Sequence, residues 1–233
     1  MSSRKTKALP KVTVELLAKR ARRENPPLKT PKGRLFSDPR NGKNPVNPIR
    51  TCVFDIETTG LNASFGRVLC AALQFYGPDE LIVFRSDQYP DWKKGLRAND
   101  KDIVSDILAE LEKADIVIAH NGLAFDAAFL RTRAIIHGLP PVNSKKIIDP
   151  VLLARKIFRF HSNSLDSIAS MLGTDFKKTP VAPQYWVKAI GDGDTEALDY
   201  ITTHCIYDVF VLEEIARKML PYVKQIDAIG SWR

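Results

Sequence analysis

No apolar run in this 233-residue chain approaches the roughly 20 residues needed to span a membrane, and Glu15 interrupts the only apolar stretch near the N-terminus. The expectation is a soluble, cytoplasmic protein with no signal peptide and no membrane partner. Cysteine is scarce: Cys52, Cys70 and Cys205 are odd in number, scattered and set among apolar residues, which fits reduced core thiols and excludes a zinc-binding spacing. The first 50 residues are short of both acids and aromatics, with Glu15, Glu24, Asp38 and a single Phe36. They hold 14 Lys and Arg and seven of the 15 prolines, a net charge of +11 against −3 for the remainder. Such a segment cannot bury enough apolar surface to fold by itself. It is expected to be a basic arm, 1–50, on a single domain, 51–233. Within it "TVELLAKRARREN" reads as a short helix capped by Thr13. The arm suits a polyanion, or equally serves as a solvated tail.

The body has ordinary globular composition, 44% hydrophobic and 27% charged overall. Residues 51–57 read as a buried strand, and 67–76 and 80–86 as two more, joined by a "GPD" turn that makes them antiparallel. A helix follows, capped by Asn99 or Asp100, with apolar residues at 103, 104, 107, 108 and 111. Next come a short strand at 115–121 and a helix stopped by Gly138. A strand at 145–150 leads to a helix capped by Asp149 and opened by Pro150. A helix over "SLDSIASMLG" and a long one at about 195–220 complete the order β-β-β-α-β-α-β-α-α. This is an α/β domain with a mixed five-stranded sheet flanked by helices.

Against that background four acids stand out. In "CVFDIETTG" Asp55 and Glu57 sit one residue apart, so on a strand both point to the same side. Two carboxylates so close repel, and burying them without a cation or proton between them costs several kcal/mol, on the order of other buried-charge penalties. Asp126 falls in the first turn of the helix after the fourth strand, near that strand's carboxyl end, where α/β folds assemble their sites. Asp208 lies beside Cys205 and Val209 on the apolar stripe of the last helix, one turn after His204.

These residues resemble the three motifs of the DEDD (DnaQ-like) 3′-to-5′ exonuclease superfamily: D-x-E on the first strand, "HNGLAFDAAFL" opening the second helix, and a C-terminal Asp preceded by His or Tyr. The resemblance covers about residues 51–220 and is greatest toward stand-alone relatives of the family-B DNA polymerase proofreading domain. It implies a ribonuclease-H-like fold. It further implies that Asp55, Glu57, Asp126 and Asp208 hold two divalent cations, Mg²⁺ or Mn²⁺, as an all-oxygen donor set favours. In that arrangement Asp55 bridges both ions, Glu57 and Asp208 serve the first and Asp126 the second.

The family places its histidine five residues before the last Asp, or a tyrosine four before. Here the fifth is Thr203 and the fourth is His204. A residue four back on a helix returns to within about 40° of the same direction, whereas five back points away by about 140°. His204 is therefore expected to orient or deprotonate the attacking water, with Tyr207 or Tyr200 as rivals. Thr58 and Leu61 match positions that hold the 3′ terminus, through the backbone and as an apolar wedge. Asn121 either contacts substrate or caps the second helix. The implied activity is metal-dependent exonucleolysis of DNA 3′ ends, single-stranded or frayed. The same chemistry on RNA, or a catalytically silent nucleic-acid-binding module, are the alternatives. No residue names a replication or repair partner.

Overall fold

The computed structural model describes residues 49–76, 80–97, 99–143, 145–180, 182–223 and 229–232. Apart from Ile49 and Arg50, the basic arm and its expected helix lie outside the described residues, as does the turn at 77–79. Chain order is β1 (Thr51–Thr58), β2 (Val68–Phe75), β3 (Glu80–Arg85), α1 (Lys101–Glu112), β4 (Ile116–Ile118), α2 (Asp126–His137), β5 (Lys145–Ile148), α3 (Pro150–Ile157), α4 (Leu165–Leu172), α5 (Pro183–Asp192), α6 (Thr195–Met219) and β6 (Ile229–Trp232). The strands lie in the order β3-β2-β1-β4-β5-β6. β1, β2 and β3 form the expected antiparallel meander, and β4 and β5 run parallel to β1. Each parallel step needs a crossover, which α1 and α2 supply.

Alternation along β1 assigns its faces. Cys52, Phe54 and Ile56 pack with Leu73 and Phe75 of β2, Ile103, Ile107 and Leu111 of α1, and Phe129 and Leu130 of α2 in one apolar cluster. Each such buried side chain stabilises by about 1.5–3 kcal/mol. The alternate residues of β1 face α6, which packs on β1 and β2 and is covered in turn by α4 and α5. α6 is apolar along most of its length because it is a central element between sheet and outer helices.

The caps follow the sequence signals closely. Gly138 ends α2 in the left-handed region, at φ 66°. The Asp149 side chain accepts from Val151 N with Pro150 at the first helical position, and Ser164 caps α4. Asp100 departs from expectation. It precedes α1 but makes no capping bond with its side chain; Asn99 Oδ1 accepts from Lys101 N instead, at 3.0 Å. The Asp100 carboxylate is taken by the Arg133 guanidinium (2.6 Å), His137 Nε2 (2.6 Å) and Val68 N (3.0 Å), because a buried acid gains more from a cation than from a helix end.

The five expected strands are joined by a sixth, β6, antiparallel to β5. Its sequence, "IGSW", has little strand character of its own, and it forms by pairing with an open edge. α5 was not expected either. Only Ala189 of its ten residues is buried, so it carries no apolar stripe to betray it. Pro183 at its start and Gly193 in the left-handed conformation at its end are the signals that could have revealed it.

Candidate active site

β4 ends at Ile118, whose partner on β1 is Val53, so β1 projects beyond its parallel neighbour. The Ile56 N–H on that open side is taken by Asp126 Oδ1 at 3.2 Å. One hydrogen bond thus seats the first turn of α2 against the end of β1, bringing Asp126 beside the D-x-E pair. A register shift between Glu57 and Thr58 ends the regular pairing there, as bulges beside sites often do. From the opposite face, Cys205 Sγ donates to the Asp55 carbonyl at 3.4 Å, which sets the height of α6 and with it Asp208.

The four acids share one electrostatic environment. Burial, followed by the charges of Asp126, Glu57 and Asp208, raises the Asp55 pKa well above the carboxylate range. Burial with Asp208 nearby pushes Glu57 up to about 8, against the opposing pull of Lys178. Burial pushes Asp126 up to about 7 despite its hydrogen bond from Ile56 N. Asp55 Oδ2 and Asp208 Oδ1 are buried without a hydrogen-bond partner. Orphaned acceptors of this kind are costly in a native interior.

His204 is buried, with Nε2 3.8 Å from both Glu57 Oε1 and Asp208 Oδ2. Its Nδ1 is hydrogen-bonded to the Thr179 hydroxyl. If Nδ1 carries the proton and donates to Thr179, Nε2 is left as an acceptor facing the acids. Burial lowers the His204 pKa, opposed by Asp208 and assisted by Lys178, so the neutral ring predominates at pH 7. The rival tyrosines are engaged elsewhere: Tyr207 packs against Phe176 and Phe210, and Tyr200 stacks on Tyr185 and donates its hydroxyl to the Pro180 carbonyl.

The connection from α4 to α5 contributes what sequence reading missed. Lys178 Nζ lies 2.6 Å from Asp208 Oδ2. Burial works against its charge, but Asp208, with Asp55 and Glu57 behind it, outweighs burial and raises its pKa. Thr179 meets His204 from the same loop, and Trp186 of α5 meets the His204 ring edge-on. His120, just before Asn121, has a buried Nδ1 with no partner, and burial together with the Lys178 charge pushes its pKa down to about 4. "KKTP" and "AHNG" hold no spacing that singles these residues out; only the acids' need for a counter-charge points to a lysine, without saying which.

The expected substrate contacts are arranged less uniformly. The Thr58 hydroxyl donates to Gly60 O at 2.8 Å, so it shapes the turn after β1 and leaves the backbone for other contacts. Leu61 is 86% exposed. Asn121 is exposed in the left-handed region at φ 59°, and its carbonyl accepts from Ala124 N and Phe125 N. α2 has no side-chain cap, so capping by Asn121, one of its two expected roles, does not occur.

The donor set fits hard divalent cations. All four acids are oxygen ligands, two of their oxygens are orphaned, and three pKa values are raised in a way that bound positive charge would reverse. Among the described residues no three His, Cys, Asp or Glu side chains already stand in a closed coordination geometry. The Lys178 ammonium occupies one approach to the cluster.

Comparison with known proteins agrees with this architecture. The model of the RNase_H superfamily matches residues 52–220. Over 140 residues, 53% of this chain, the sequence is 28% identical to a DNA polymerase III of PolC type from Ureaplasma parvum. The match spans only 10% of that polymerase. Among solved structures, the family B DNA polymerase from the hyperthermophilic archaeon Pyrobaculum calidifontis shares the fold with a TM-score of 0.59 at 19% identity, over 78% of this chain and 26% of that one. No helix among the described residues is long and apolar enough to cross a membrane. The resemblance to DnaQ-like exonucleases drawn from the three motifs agrees with these matches, and the chain belongs to the RNase_H superfamily.

Proposed function

We propose that this protein is a metal-dependent nuclease that removes nucleotides from DNA 3′ ends, single-stranded or frayed. Membership of the RNase_H superfamily supports a nuclease, and both polymerases it resembles are named for DNA. The observation that carries the reading is the cluster of Asp55, Glu57, Asp126 and Asp208, mutually destabilised and with two buried oxygens orphaned. A stable core would not retain such repulsion without a use for it.

In this reading the four acids hold two Mg²⁺ or Mn²⁺ ions, which when bound activate water at the scissile phosphodiester and stabilise the leaving 3′ oxygen. Neutral His204 accepts the proton of the attacking water at Nε2, while the Thr179 hydroxyl holds Nδ1 and the Trp186 ring limits rotation. Lys178 neutralises part of the acid charge and offers an ammonium to the substrate phosphate. Leu61 packs against the terminal base, the Thr58 backbone and the Asn121 amide hold the terminal nucleotide, and the basic arm supplies sequence-independent affinity.

Incubation of 5′-labelled single- and double-stranded DNA and RNA with the protein in Mg²⁺, Mn²⁺ or EDTA tests this. The expected result is a ladder shortened from the 3′ end of DNA, abolished by EDTA. A ladder on RNA alone would move the substrate to RNA, and binding without any cleavage would make the protein a silent module.

A further inference from the structure

The loop that leaves β1, residues 59–67, presents a second large apolar side chain beside Leu61. Phe65 is 89% exposed. A single exposed ring needs no explanation by itself, but this one stands on a backbone held at its base, middle and exit. At the base, Thr59 N donates to Arg67 O at 2.9 Å and Arg67 N to Thr59 Oγ1 at 3.0 Å. In the middle, Asn62 O accepts from Phe65 N and Gly66 N, at 3.2 and 2.7 Å, and Asn62 Oδ1 accepts from Ser64 N at 2.9 Å. The Ala63 carbonyl receives the buried Arg133 guanidinium at 3.0 Å. Asp100, which fixes Arg133, also accepts from Val68 N where the loop rejoins the sheet.

Gly66 lets this loop close on α2. A Cβ there would lie 2.8 Å from Asn62 O and 3.1 Å from the Phe129 ring. Phe129 follows Asp126 by one helical turn, and the loop begins one residue after Thr58, so it rests on the two elements that carry Asp55, Glu57 and Asp126. An aromatic ring on a fixed backbone beside the acids can meet a flat apolar partner at little entropic cost. Nucleobases offer such a face whatever their sequence.

We propose that Phe65 is a substrate-binding residue that stacks on a nucleobase of the strand whose 3′ end enters the carboxylate site, making an unpaired, base-bearing end the preferred substrate. The proposal rests on the nuclease reading above and adds to it a contact that Leu61, an aliphatic wedge, cannot make.

The test measures binding of a short single-stranded DNA by full-length Asp55→Asn protein, alone and combined with Phe65→Ala, Phe65→Leu or Phe65→Trp. Phe65→Ala should weaken binding about tenfold, the scale of removing one base–aromatic stack. Phe65→Leu should not restore it. Phe65→Trp should, with its added indole fluorescence quenched by DNA. An oligonucleotide with abasic sites at its last 3′ positions should bind all four proteins alike. Ile135→Ala, which removes another exposed apolar residue of α2, should leave binding unchanged. Equal binding with and without the Phe65→Ala substitution overturns the proposal, as does full rescue by leucine. A fall in melting temperature in Phe65→Ala without loss of binding overturns it too, since the ring would then pack on its own chain. Cleavage by the wild-type protein together with undiminished binding by Phe65→Ala fells this proposal alone. A wild-type protein that neither binds nor cleaves nucleic acid fells both this proposal and the nuclease reading.

Discussion

β1 carries its acids on a strand paired along its whole length with β2 and over Thr51–Val53 with β4, whereas Lys178 and Thr179 come from a loop between two short outer helices. Both regions end at the same carboxylates. On β1 the period of two decides which side chains meet: Phe54 and Ile56 enter the apolar cluster, and Asp55 and Glu57 must face α6. In the 174–182 connection no period applies, and single contacts hold the residues, namely the Lys178 ion pair with Asp208 and the Thr179 bond to His204. The strand therefore supplies negative charge at fixed positions, and the loop supplies the positive charge and hydrogen bond that make that charge tolerable. The first is rigid by pairing; the second is held only by the site it serves.

That contrast can be broken at its strand side with the largest effect. Asp55→Asn or Asp126→Asn should abolish cleavage while leaving the fold intact, as gel-based cleavage assays and circular dichroism would report. Without metal both variants should be as stable as the parent or more so, since each removes a repelled buried charge. The pH dependence has a definite sign. Asp55, Glu57 and Asp126 have folded pKa values above their ordinary ones, so between about pH 4 and 8 the folded state binds more protons than the unfolded chain. Stability in EDTA should therefore fall as pH rises through that window, and the fall should be shallower in Asp55→Asn. Melting curves across pH check this; a slope unaltered by Asp55→Asn and by Mn²⁺ would mean that the acids are not strained.

The helix joining the two regions comes next. His204→Ala should lower turnover by about 100-fold, the usual scale for removing a general base, and flatten the acid limb of the pH–rate profile. Tyr207→Phe should change little, because its ring packs on Phe176 and Phe210. A damaged Tyr207→Phe enzyme would move the proton acceptor to the tyrosine.

On the loop side, Lys178→Ala leaves Asp208 without its ion pair. A smaller loss of activity, about tenfold, is expected, with a metal-free stability loss of about 1–3 kcal/mol, the range for a hydrogen bond to a charged group. Denaturant melts in EDTA and with Mg²⁺ would show the stability loss shrinking when metal takes over the charge. A loss that is the same with and without metal would separate Lys178 from the acid cluster.

The smallest effect lies outside both regions. Removing residues 1–45 should leave turnover on a saturating short oligonucleotide nearly unchanged. It should weaken binding to long single strands at low salt, lowering the slope of log affinity against log salt by roughly 0.7 for each phosphate that the arm had neutralised. Identical slopes across a salt series would make the arm a solvated tail.

The sequence by itself determined the elements with a strong period and clear punctuation: the β1 alternation, the stripe of α6, Gly138 after α2 and Asp149 before α3. It also determined the four acids and the helical register of His204, because one turn of a regular helix places residues four apart on one side, as the shared approach of His204 and Asp208 shows. Only the tertiary structure decided the rest. Asp100 leaves its helix end for Arg133, which lies 33 positions away in the chain. Lys178 finds Asp208 across 30 positions, and β6 exists because β5 offers an edge. The physical reason is the same in each case. A local pattern records what a residue does to its own backbone and face, whereas a counter-charge or an edge pairing is chosen by whatever the fold brings within about 3 Å, and sequence separation carries no trace of that choice.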